Sequence, residues 1–350
     1  MNANPRRAVL LVGNFLSGDG GSRGVCEELA ERLAMAGWAV LTASNKRNCL
    51  YRLAHMVRTV YARRQDYDVA HVDVYSGRAF FWAEAVCTSL RQVGKPFVLT
   101  LHGGHLPEFA ERWPARVRHL LRSAKVVTTP SPYLQKTMQA YRANLRLVPN
   151  AIDLSRYRFR QRDHLPPSLV WLRAFHAIYN PMLGPKVLKL LSLRFPTVRL
   201  VMVGPDKGDG SIGLTQQVAR QLGVDSKLCL PGGVAKAAVP AWLERGEFFL
   251  NTTNVDNTPV SVLEAMACGL CVVSTDVGGL PHLLEHERDA LLVPPNNAEA
   301  MAAAVTRLMA NPQLCAQLSR NARAKAERHD WSRVLPEWEA LLSSVASNGN

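Results

Sequence analysis

Residues 248–274 read FFLNTTNVDNTPVSVLEAMACGLCVVS, and their pattern changes twice. Phe248–Asn251 is a short apolar run of strand length, Val260–Cys268 has the length and composition of a buried helix, and Cys271–Ser274 is a second β-branched run. A strand, a helix and a strand joined by short loops make a crossover unit of a parallel sheet. The same rhythm extends upstream through Leu169–Leu172, helix Pro185–Phe195, Leu200–Val203, helix Leu214–Leu222, Leu228–Leu230 and helix Val239–Arg245. It is already present in the first half, in Ala8–Val12, helix Cys26–Ala36, Ala39–Ala43, Val69–Val72, Phe97–Leu101, Val126–Thr129 and Leu145–Val148.

Two doubly wound, Rossmann-like α/β domains in tandem follow from this repetition. The rhythm pauses at Pro149–Asp153 and at the basic, structureless SRYRFRQRDHLPP of residues 155–167. Residues 1–152 therefore read as one domain, 153–167 as a linker and 168–330 as a second domain. Residues 298–342 are rich in Ala, Leu, Arg and Glu and read as helices broken near Pro312 and Asp330. Ligands of doubly wound sheets sit beyond the carboxyl ends of the strands, so the site is expected in a cleft between two such domains.

The 350 residues are 47% hydrophobic and 20% charged, which excludes general disorder. The net charge of +14 favours anionic partners. It is uneven: residues 1–150 hold 21 basic and 10 acidic side chains, residues 151–350 hold 21 and 18. The five-residue apolar run Ala8–Val12 is too short for a signal-peptide core, and no 18-residue apolar run spans a membrane. Seven scattered cysteines suggest free thiols in a cytoplasmic protein. The lone Cys268-Gly-Leu-Cys271 lacks a second pair for zinc and reads as packing.

Five places carry candidate chemistry. The loop Gly13–Ser22, with Gly20 and Gly21, lets backbone N–H groups approach a phosphate, or serves as a flexible turn. It is neither GxGxxG nor GxxxxGK[ST], and Lys46 stands where an acid would hold a nicotinamide ribose. His102 follows a strand beside Gly103 and Gly104 and is expected to touch substrate, His105 less so. Arg173 and Lys186 reach a diphosphate from the loop side or remain surface charges. Asp256 and Glu264 stand eight residues apart around a helix start formed by Asn257, Thr258, Pro259 and Val260. Glu264 lies in an apolar stretch, where it either accepts ribose hydroxyls or is satisfied inside the fold.

One amphipathic stretch remains. In Arg112–Lys125, Val117, Leu120, Leu121 and Ala124 recur at helical spacing between Arg116, Arg118, Arg122 and Lys125. It reads as a helix lying on an anionic membrane surface, or as one packing on its own sheet. No nucleic-acid module or interleaving of aromatic and basic residues is present, so nucleic acid is not expected as a partner.

In order along the chain, EELAERLAMAGWAV, TLHGG, KVVTTPSPYLQKTM, LVPNAIDLSRYR, VMVGPD, DNTPVSVLEAMACG and HDWSRVLPEWEALL resemble the retaining GT-B glycosyltransferases of glycosyltransferase family 4. The resemblance implies an acceptor-binding first domain completed by a last helix within 331–350, and a second domain that binds a nucleotide-sugar. Asp256 and Glu264 match the family's E-x7-E pattern, with Asp in place of the first Glu. The resemblance gives Asp256 the sugar hydroxyls and Glu264 the nucleotide ribose. Arg173 matches a phosphate-binding arginine, whereas Ile178 stands where the family has a lysine, with Asn180 or Lys186 as the compensating side chain. The base is expected near Leu230–Val234.

On this reading the chain is a metal-independent hexosyltransferase that needs no cofactor, with the diphosphate charge met by Arg173, Gly20, Gly21 and the helix start at Thr258–Ser261. His102 contacts the sugar or orients the acceptor, which is a saccharide or is lipid-linked and belongs to polysaccharide or glycolipid synthesis at the inner face of the cell membrane. A sugar-nucleotide epimerase and a catalytically silent GT-B subunit stay open as alternatives.

Overall fold

The computed structural model describes residues 7–17, 24–163 and 166–347, so Gly20 and Gly21 lie outside the described residues. The chain forms two compact units, Met1–Ala151 with Trp331–Asn350, and Ile152–Asp330.

The first unit runs β1 (Ala8–Val12), α1 (Val25–Met35), β2 (Ala39–Ala43), α2 (Cys49–Ala62), β3 (Val69–Val74), α3 (Arg78–Gln92), β4 (Phe97–Leu101), α4 (Leu106–Arg112), α5 (Pro114–Ser123), β5 (Val126–Thr129), α6 (Pro132–Met138) and β6 (Leu145–Leu147). Its sheet is parallel in the order β2-β1-β3-β4-β5-β6. The alternation of a strand divides β1 between two cores. Leu10 and Val12 pack with Met56, Phe80 and Leu99, and Val9 and Leu11 with Leu29, Leu33 and Val98.

The second unit runs β7 (Ser168–Leu172), α7 (Leu183–Ser192), β8 (Arg199–Val203), α8 (Ser211–Gln221), β9 (Leu228–Gly232), α9 (Val239–Leu243), β10 (Phe248–Asn251), α10 (Val260–Ala267), β11 (Cys271–Thr275), α11 (Leu280–Leu283), β12 (Leu291–Val293), α12 (Ala298–Met309) and α13 (Pro312–Ala326). Its parallel sheet has the order β12-β11-β10-β7-β8-β9. The order reverses between β7 and β10, which places a topological switch point beyond Leu172 and Asn251. Helix α14 (Trp331–Ser347) then returns to the first unit, where Trp331, Val334, Trp338 and Leu342 pack with Val9 and Leu11.

Two expectations change. The stretch read as a structureless linker is built into the second unit over its described residues. Tyr157 is buried, Arg323 donates to its carbonyl oxygen, and Arg162 is buried against Glu247 at 2.9 Å, with Arg160 on the same carboxylate. The reason is chemical: a buried Glu247 needs cations, and this basic segment supplies two. The stretch Arg112–Lys125 does not offer its apolar residues to a lipid. Val117, Leu120, Leu121 and Ala124 lie in the core of the first unit, Arg116 pairs with Glu84, and the guanidinium of Arg118 lies over Tyr141. Their own sheet competes for the same apolar area and takes it. No helix among the described residues is long and apolar enough to cross a membrane.

Candidate active site

At the switch point of the second unit, Arg173 is the first residue after β7, and its N–H donates to Val203 O at 3.1 Å. The loop after β10 carries Asp256, whose carboxylate pairs with the Arg173 guanidinium and accepts the Asn257 N–H at 2.9 Å. The guanidinium also lies 4.4 Å from the centre of the Tyr179 ring. Burial holds Arg173 below the usual arginine range, against the opposing influence of Tyr179 and Glu264. Its Nε is buried without a hydrogen-bond partner.

The loop is held from behind. Gly279 N–H donates to Asp256 O at 3.0 Å, and a Cβ on Gly278 or Gly279 would meet the carbonyl oxygens of Asp256 and Asn257 at 2.3 and 2.1 Å. Only glycine permits that approach.

Helix α10 starts directly after this loop, with Pro259 as its N-cap and Asn257 and Thr258 buried before it. The first turn of a helix has no intrahelical acceptor for its N–H groups and so favours anions. Here the Oγ of Ser261 is also buried without a partner. One turn further, Glu264 is buried, with Oε1 accepting from Tyr157 Oη and Lys236 Nζ. Arg173 with Asp256, and Glu264 with Lys236 and Tyr157, are thus two bonded sets, and the charge of Glu264 acts on Arg173.

Other expected residues stand apart. Lys186 is exposed on α7, while its neighbours Val187 and Leu188 are buried. Asn180 adopts a left-handed conformation and donates to Asn296 Oδ1 at 2.7 Å, so it serves the loop structure. The carbonyl of Ile178 accepts the N–H of Asn254 at 2.8 Å, which ties the position lacking a lysine to the Asp256 loop.

In the first unit, His102 follows β4. Its Nε2 donates to Asp73 Oδ1 at 3.0 Å, and its ring stacks on Tyr75 at 5.2 Å between centres. That bond fixes the tautomer and leaves Nδ1 as the second polar atom. Burial works against the Asp73 anion, but the charge and hydrogen bond of His102, with His71 and Cys26, hold its carboxyl below the usual range. Gly13, after β1, leaves the space that this carboxylate fills: a Cβ there would sit 2.7 Å from Asp73 Oδ2. His71 makes a 2.6 Å hydrogen bond to Thr100 Oγ1, which lies 2.7 Å from Thr128 Oγ1. Burial pushes the His71 pKa down to about 4.

His105 is bonded to Glu108 at the surface. The thiols of Cys268 and Cys271 are free and buried. Asp73, Tyr157 and Lys236 were not among the residues expected from the sequence. Of the three, only Asp73 left a local mark, as a carboxylate inside the strand run AHVDV.

Comparison with known proteins adds a family. Residues 179–325 match the model described as glycosyl transferases group 1, and residues 40–156 match glycosyltransferase family 4. The D-inositol 3-phosphate glycosyltransferase of Pseudarthrobacter chlorophenolicus is 28% identical over 77% of this chain and 68% of its own length. That of Saccharomonospora viridis is 29% identical over 75% of this chain and 64% of its own length, so the chain spans about two thirds of these relatives. In fold, the sucrose-phosphate synthase of Thermosynechococcus elongatus matches with a TM-score of 0.81 at 18% identity, over 98% of this chain and all of its own. Anabaena HepE, solved in complex with UDP and glucose, matches with a TM-score of 0.77 at 19% identity, over 97% of this chain and all of its own.

Proposed function

We propose that this chain, which belongs to the group 1 and family 4 glycosyltransferases of GT-B fold, moves a hexosyl group from a nucleotide-sugar to a saccharide or lipid-linked acceptor, with retention of configuration, in polysaccharide or glycolipid synthesis. The observation that carries the donor site is the group formed by Arg173, Asp256 and Glu264 around the start of α10, at the switch point of the second unit.

The roles follow from charge and reach. Arg173 and the first turn of α10 take the diphosphate, whose charge grows as the bond to the sugar breaks. The unpartnered Nε of Arg173 and Oγ of Ser261 supply further donors. Asp256, already an acceptor, takes the sugar hydroxyls, and the second oxygen of Glu264 takes those of the ribose. Because a guanidinium and a helix start meet the diphosphate, the transfer is proposed to proceed without a metal ion or cofactor. In the first unit His102, with its tautomer set by Asp73, accepts a hydrogen bond from a sugar or acceptor hydroxyl.

Incubation with nucleotide-sugars and EDTA tests this, UDP-glucose first because a structural relative holds UDP and glucose. Nucleoside diphosphate release with an α-linked product from an α-linked donor is expected. Inversion would overturn retention. A modified sugar released without acceptor would identify an epimerase, and no turnover of any donor a silent subunit.

A further inference from the structure

Helix α2 carries Arg58 on the same face as its exposed apolar side chains, and further cations flank both of its ends. Between Arg32 and Asp66 the sequence has no Asp or Glu, while Lys46, Arg47, Arg52, Arg58, Arg63 and Arg64 fall in that interval. The inner side of α2 is ordinary: Met56 and Val60 enter the core, and Arg52 is buried, donating to Asn14 Oδ1 at 3.1 Å and to Lys46 O at 2.6 Å.

The outer side is not ordinary. At 100° per residue, Leu50, Tyr51, Ala54, Arg58, Tyr61 and Ala62 fall within roughly 120° of the helix circumference, and Arg47 stands two residues before the helix. All are exposed, Leu50 at 79% and Tyr51 at 72%. Side chains of this kind in water forfeit the free energy that burial would return. Arg52 also places its guanidinium 5.3 Å from the ring centre of Trp82, which joins the start of α2 to that of α3, where Arg78 and Phe81 are exposed as well.

We propose that the outer face of α2 docks on an anionic lipid surface. Leu50 and Tyr51 enter the boundary between headgroups and acyl chains, and Lys46, Arg47, Arg58 and Arg64 stand over the lipid phosphates. The sign of the charge selects the occupant. A surface with four exposed cations, Lys46, Arg47, Arg58 and Arg64, beside an Arg63 that is paired with Asp66, is repelled by a second copy of itself and attracted to a layer of negative charge. The exposed leucine and tyrosine add the apolar contact that separates a lipid surface from a purely ionic partner. Helix α5 keeps Val117, Leu120 and Leu121 in the core and exposes a large apolar side chain only at its N-cap, Trp113.

Flotation of the full chain with vesicles of phosphatidylcholine containing roughly a third phosphatidylglycerol tests this, beside vesicles of phosphatidylcholine alone. Binding to the anionic vesicles only is expected. Arg47→Gln, Arg58→Gln and Arg64→Gln together should weaken it on the order of a hundredfold, at roughly fivefold per cation. Leu50→Ser with Tyr51→Ser should weaken it at unchanged charge, and Arg112→Gln with Arg122→Gln should leave the greater part. All of these side chains are exposed, and an unchanged melting temperature confirms that each variant is folded. Equal binding to neutral vesicles, or full binding by the α2 variants, overturns the proposal. So does a wild-type protein that ignores vesicles, including one that self-associates through Leu50 and Tyr51.

Discussion

Removing the Asp256 carboxylate is predicted to tighten nucleoside diphosphate binding while abolishing sugar transfer. In the free protein Asp256 occupies the guanidinium that the diphosphate needs. The side chains are 18% and 11% exposed, so the pair is partly shielded from water. An anion held by Arg173 then lies about 6 Å from the Asp256 charge, an opposing interaction of roughly 2–3 kcal/mol at an effective dielectric of about 20. Screening by solvent reduces it to about 1–2 kcal/mol, on the order of a tenfold gain in UDP affinity for Asp256→Ala. The same change leaves Arg173 without its carboxylate. Breaking a fully buried pair costs about 3–5 kcal/mol, and partial exposure brings this to about 2 kcal/mol, a melting temperature lower by about 4–8 °C. Saturating UDP should return most of that loss. Calorimetric titration and thermal unfolding with and without UDP measure both effects. Weaker UDP binding by Asp256→Ala, together with an unchanged melting temperature, would refute the competition between Asp256 and the diphosphate.

Three further outcomes follow from the same geometry. His71 is held at about 4 in the folded chain, against about 6.5 unfolded, so the unfolded state binds the proton first and stability falls as pH drops through that window. The loss is about 2 kcal/mol by pH 5, and His71→Gln should flatten the change in melting temperature between pH 7 and pH 5; an unchanged slope would assign it elsewhere. Asp73→Asn should lower turnover roughly tenfold or more with little change in UDP affinity, because it releases the tautomer of His102, and wild-type turnover would show that His102 acts without it. Glu247→Gln should cost about 3 kcal/mol by leaving buried Arg162 unpaired, without altering UDP affinity; a wild-type melting temperature would contradict the packing of residues 153–163.

Eleven of the twelve strands among the described residues were legible because runs such as Ala8–Val12 and Phe248–Asn251 are short, apolar and bounded by loop residues, whereas the short β12, Leu291–Val293, was not read. Helix α2 was not read from the sequence, since exposed Leu50, Tyr51 and Tyr61 interrupt the contrast between an apolar and a polar face. Helix α5 shows the converse: amphipathicity states that a face is apolar, and only packing states what covers it. At the site, Arg173, Asp256 and Glu264 were marked by their place after strands and before a helix. Their partners were not marked, because Arg173 with Asp256 and Tyr157 with Glu264 are separated by 83 and 107 residues. The composition of residues 155–167 concealed their packing, since arginines that pair with a buried glutamate look the same in sequence as arginines in water.

The central claim is a nucleoside diphosphate site at the carboxyl ends of β7 and β10. Calorimetric titration of the full chain with UDP, GDP, ADP, TDP and CMP, in EDTA, tests it most directly, with Arg173→Ala and Glu264→Gln alongside. The account predicts one-site binding of one of these nucleotides, abolished by Arg173→Ala and weakened at least tenfold by Glu264→Gln in a chain that still unfolds cooperatively. Binding of none of them, or equal binding by wild type and Arg173→Ala, would contradict it.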